Sequence, residues 1–85
     1  MTKTSKLYAN LLANPRQIVS FRDFERLLRA AGFEIKRERG SHKAYRHPRI
    51  SEVLTVQPNG KDAQPYQVRA FLDMVRRHGL TVEDR

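Results

Sequence analysis

The reactive side chains of this sequence crowd into one stretch, Arg39-Gly40-Ser41-His42-Lys43-Ala44-Tyr45-Arg46-His47-Pro48. An imidazole titrates near neutrality and can take or give a proton at working pH, so His42 is a candidate general acid or base. Lys43 and Arg46 lie close to it in sequence, and together with Lys36 they could balance the charge that develops on a reacting phosphate. A histidine among cations beside a tight turn is suited to phosphate chemistry. Metal chemistry fits poorly: Cys is absent, carboxylates are scarce nearby, and His42 and His47 stand an odd number of residues apart on one expected strand, pointing to opposite faces. No metal and no other cofactor is expected.

The elements that must hold these residues can be read outward from the turn. Gly40 supplies the backbone freedom of a tight reversal, Ser41 can hydrogen-bond the local backbone, and Pro48 removes a donor and stops the strand that begins at His42. Within that strand Tyr45 has far more area to bury than Ala44, so Tyr45 is expected inward. His42 and Arg46 then share the solvent face, Lys36 becomes their neighbour from the preceding strand, and Lys43 reaches out from an edge. The preceding strand starts at Phe33, with Phe33 and Ile35 on one face and Glu34 and Lys36 on the other, a half-buried pattern. Val53 to Val56 reads as a third strand with Leu54 and Val56 buried, closed by Pro58-Asn59-Gly60. Lys61 sits on that turn, as an exposed cation rather than part of a P-loop, because the first glycine of that motif and the Ser or Thr after its lysine are missing.

Three helices complete the chain. Leu7, Tyr8, Leu11 and Leu12 mark a helix over Ser5 to Leu12, ended by Asn14-Pro15 and expected to be an extra N-terminal helix at residues 1–14. Ser20 reads as an N-cap with Asp23 three residues on, followed by the stripe Phe24, Leu27, Leu28 and Ala31 and by Gly32 as the left-handed stop. Arg22, Arg26 and Arg29 face outward. Pro65 opens the last helix, Val68, Phe71, Leu72 and Val75 form its stripe, Gly79 closes it, and Thr81 to Arg85 are expected to fray. The order α-α-β-β-β-α defines an α+β fold: a three-stranded antiparallel sheet with helices on one face, the layout of double-stranded-RNA-binding domains.

Composition narrows the partners. The 85 residues make one domain. Seventeen Lys and Arg against nine Asp and Glu leave a net charge of +8, which suits a polyanionic partner. The charge is clustered: from Lys36 to Arg49 six cations (Lys36, Arg37, Arg39, Lys43, Arg46, Arg49) oppose the single carboxylate of Glu38, leaving +5. The absence of Cys excludes disulfides and thiolate catalysis and suits a reducing cytoplasm. With no apolar run near the ~20 residues a membrane span requires and no signal-peptide h-region, a cytoplasmic protein without a membrane partner is expected.

Gly40-Ser41-His42 followed by Tyr45-Arg46-His47-Pro48, with Gly32-Phe33 before it and Gly60-Lys61 and Pro65 leading to a helix ended by Gly79-Leu80, resembles the HicA toxin family of bacterial toxin-antitoxin pairs over residues 20–80. The resemblance implies a messenger-RNA-cleaving ribonuclease on a double-stranded-RNA-binding-domain-like fold, His42 at the position of the catalytic histidine, and a HicB antitoxin as partner. RNA contacts are expected at Lys36, Arg39, Gly40, Ser41, Lys43, Arg46 and Lys61. In the expected reaction the 2′-hydroxyl attacks the adjacent phosphate while His42 moves a proton, and Lys43, His47 or water carries the other. A non-catalytic RNA- or DNA-binding module and a purely protein-binding adaptor are the rival readings.

Overall fold

The structure, a computed structural model, describes residues 2–84. Three helices, α1 (Thr4–Ala13), α2 (Phe21–Ala30) and α3 (Pro65–His78), and three strands, β1 (Glu34–Arg39), β2 (His42–His47) and β3 (Ile50–Val56), follow the order α-α-β-β-β-α. The strands form one antiparallel sheet in the order β1-β2-β3, with all helices on one face, as the sequence predicts.

The core forms where the helical stripes meet the inward side of the sheet. Ser20 caps α2 by accepting a hydrogen bond from the Asp23 backbone N–H at 3.1 Å, and Phe24, Leu27, Leu28 and Ala31 are all buried. Phe24 and Phe33 each pack edge-on against Phe71 of α3, and Tyr45, Leu54 and Val56 meet them from β2 and β3. Gly32 turns the chain from α2 into β1 with φ +98°, and the His47 ring lies so close that a Cβ there would meet its Nε2 at 2.8 Å.

Three expectations fail, each for a tertiary reason. The α3 stripe buries Met74 where Leu72 was expected. Leu72 is only half-buried, lining an apolar groove of about 640 Å³ between α1 and α3 with Tyr8, Leu12 and Leu80. α1 packs through Leu7 and Leu11 into the main core, while Leu12 stays 55% exposed. The C-terminal tail does not fray: the Glu83 N–H donates to the Ala30 carbonyl, Thr4 Oγ1 donates to the Glu83 carbonyl, and Asp84 accepts from the Ser5 N–H at 2.8 Å. Val82 packs against the core, and Arg85 lies outside the described residues. Finally, β1 is exposed along its whole length, Ile35 included, because it is an edge strand and only Phe33, just before it, reaches the core.

β1 also carries an irregularity that decides which of its side chains stand across from His42 and Ala44. Ile35 pairs with Tyr45, but Arg37 rather than Lys36 pairs with Ala44, so Lys36 is the inserted residue of a β-bulge. Beyond the bulge the side-chain alternation is inverted relative to strict period two.

Candidate active site and nucleic-acid interface

The turn that presents His42 is the two-residue connection Gly40-Ser41, closed by the pair Arg39 and His42. Gly40 has φ +58° and Ser41 does not share the left-handed region, the residue pattern of a II′ hairpin, whose twist matches that of the strands. His42 is therefore the first residue of a strand paired on both sides of its course, and its backbone position is set by the sheet.

β2 divides its side chains between two faces. Tyr45 is 0% exposed beneath the helices, which leaves His42, Ala44 and Arg46 on the open face, as expected. Across the strands three rows cover that face. Arg39 stands opposite His42; Arg37, Ala44 and Thr55 form the next row; Glu34, Arg46 and Val53 form the third. His42, Arg37, Arg39, Ala44 and Thr55 line a shallow depression of about 290 Å³. Arg46 is engaged with Glu34 at 3.5 Å, an exposed pair of small energetic value. Arg37 and Arg39 make no ion pair among the described residues.

The sequence-expected residues thus separate into groups. His42, Arg39 and Arg46 share the open face, with Gly40 and Ser41 forming the turn at its end. Lys36, expected beside His42, is displaced by the bulge into a second depression with Glu34, Arg46 and Val53. Lys61 is exposed on the loop after β3, its carbonyl accepting from the Phe21 N–H at 2.9 Å, so it stands beside the start of α2 and lines neither depression of the open face. Lys43 does not reach out from an edge. It lies on the helix side, its Nζ 3.0 Å from the Glu25 carboxylate and over the Phe21 ring. Tyr45 donates its hydroxyl to the same carboxylate, and burial together with Glu25 pushes its phenol well above the ordinary tyrosine range.

His47 also faces away from His42. It is buried, edge-on to Phe33 at 5.3 Å between ring centres, and its Nδ1 accepts from the Arg49 N–H. Both side chains considered as second proton carriers are thus built into the helix side of the sheet. Conversely, Arg37 and Thr55 stand beside His42 and were missed. Strict alternation from Phe33 puts Arg37 inward, where a charged residue has no partner; that conflict was the available signal for a bulge. Among the described residues no group of three or more His, Asp or Glu side chains could hold a metal ion, and no helix is long and apolar enough to cross a membrane. The α1–α3 groove is lined by none of the sequence-expected site residues.

The fold is a small basic α+β domain with one sheet face left open and a histidine on that face among arginines. Residues 21–79 match the family model described as the HicA toxin of bacterial toxin-antitoxin, and the chain belongs to that family. Membership makes it a toxin with an antitoxin partner. No match is found among curated proteins or among solved structures.

Proposed function

We propose that this toxin is a metal-independent endoribonuclease that cleaves mRNA on its open sheet face, in the cytoplasm, and is silenced there by a HicB-like antitoxin. The observation that carries the reading is the meeting of His42 with Arg37, Arg39 and Arg46 on one open face of a HicA-family chain. The 2′-oxygen attacks the neighbouring phosphorus while the bond to the 5′-oxygen breaks. His42 takes the 2′-hydroxyl proton or supplies the proton of the leaving 5′-oxygen, and water handles the other transfer, since Lys43 and His47 face the helices. The products carry a 2′,3′-cyclic phosphate and a 5′-hydroxyl. Arginine charge opposes that of the pentacoordinate phosphorane, so side chains supply the charge balance and one of the two proton transfers.

One observation favours a non-catalytic RNA-binding module instead: the His42 ring has no hydrogen-bond partner among the described residues to fix its tautomer. Incubating the purified protein with RNA in EDTA separates the readings. Cleavage to cyclic phosphate ends, with resistance of substrates 2′-deoxy at the cut site, supports the nuclease; binding without cleavage supports the module.

A further inference from the structure

The open face has a hole at its centre. Ala44 faces solvent by position yet is only 6% exposed, because its side chain ends at Cβ while those around it are longer. Arg37 stands directly across from it on β1 and Thr55 directly across on β3, each about 4.5–5.5 Å away at Cβ, and His42 and Arg46 stand two residues along β2 in either direction. The depression therefore has a small apolar floor, a guanidinium on one wall, a hydroxyl on the opposite wall and an imidazole at one end. Arg37 is held there only because the bulge at Lys36 rotates it out, and it is not committed to an ion pair among the described residues, unlike Arg46.

We propose that this depression seats the scissile phosphodiester: the Arg37 guanidinium takes its non-bridging oxygens, the Thr55 hydroxyl donates from the other side, and Ala44 is kept small so that the phosphorus can approach the His42 ring. A planar guanidinium suits two oxygens of one phosphate. The rows of Arg39 and Arg46 then carry the phosphates on either side along the strand. The inference rests on the nuclease reading for the word scissile, but the seat itself is a binding site and can be tested without cleavage.

Two measurements decide it. The first is cleavage by Ala44→Leu, Thr55→Val and Arg37→Gln, each checked for an unchanged melting temperature. Ala44→Leu fills the seat and should lower cleavage at least a hundredfold; Arg37→Gln should lower kcat by about 10²–10³-fold, as loss of a transition-state donor does, with a smaller change in KM. The second is an NMR titration of the wild-type protein with a 2′-O-methyl RNA hexamer, which binds but cannot be cut. Shifts should centre on the Arg37 Nε–H, the Ala44 methyl, Thr55 and the His42 ring. A folded Ala44→Leu protein that cleaves normally overturns the seat and leaves the nuclease reading standing. Wild-type protein that never cleaves, with shifts centred on Ala44, removes the nuclease and keeps the seat. Shifts confined to Lys61 or the helices overturn the seat, whatever the variants do.

Discussion

At the scale of single residues, the two histidines of β2 divide into one that is free and one that is structural. His42 is exposed and contributes little packing, so His42→Ala should stay within about 0.5 kcal/mol of wild-type stability while cleavage falls by roughly 10²–10⁴-fold. Wild-type cleavage by the folded variant would dismiss His42 from the chemistry; loss of activity through unfolding would make its role structural. Glu25 is the pivot on the helix side, where one carboxylate satisfies both Lys43 and the buried Tyr45 hydroxyl. Tyr45→Phe removes a hydrogen bond to a charged group and should cost about 1.5–3 kcal/mol in urea unfolding. The phenol also carries a pH signature. Its pKa is raised in the folded state, so its contribution is complete below the ordinary tyrosine value and is lost as pH rises above it. The stability gap between wild type and Tyr45→Phe should therefore narrow in alkali; an equal gap at neutral and alkaline pH would sink the assignment.

At the scale of elements, α1 is the surprise, because the family match begins only at residue 21 and yet Leu7 and Leu11 sit in the same core as α2 and α3. Leu11 is 0% exposed, and Leu11→Ala should destabilise by about 2–5 kcal/mol. A cost near zero would mean that α1 is an appendage. The tail clamps α1 through Asp84, whose carboxyl is held below the usual carboxylate range by the Ser5 backbone N–H. Arg76 and Arg77 do the same for Asp73, and Arg77 and His78 for Glu52. Folded-state values below the unfolded ones mean that these contributions are present above the ordinary carboxylate pKa and lost as pH falls through the depressed values. Acid melting curves should accordingly show Asp84→Asn less sensitive than wild type below the ordinary Asp range.

At the scale of the molecule, the sheet separates an open face from one covered by helices. The open face carries Lys36, Arg37, Arg39 and Arg46, while Lys43 is spent on Glu25. About three to four phosphates neutralised on a single strand give a log–log salt slope of roughly −2 to −3; a slope near zero in fluorescence titrations would remove the cationic-track argument. Arg46→Ala should weaken binding across all sequences, since phosphate contacts position a strand without reading its bases. An acidic antitoxin should cover His42, Lys36 and Arg46, because the +8 charge steers association with a negative surface. Hydrogen exchange of the complex tests this, and protection limited to α1 would point to inhibition by another route.

The sequence by itself determined most of the fold, because its signals are local and strong: Ser20 with Asp23, the α2 stripe, the Gly40-Ser41 turn and the size contrast between Tyr45 and Ala44 each act through near neighbours. It also determined which face His42 takes, since alternation within one strand needs no partner. What only the tertiary structure decided is who stands beside His42. A single inserted residue in β1 exchanged Lys36 for Arg37, and the carboxylate of Glu25 gave Lys43 a partner on the helix side in place of an edge. Strand register depends on pairing between segments, so one bulge reassigns every side chain beyond it while leaving the pattern read along the chain unchanged.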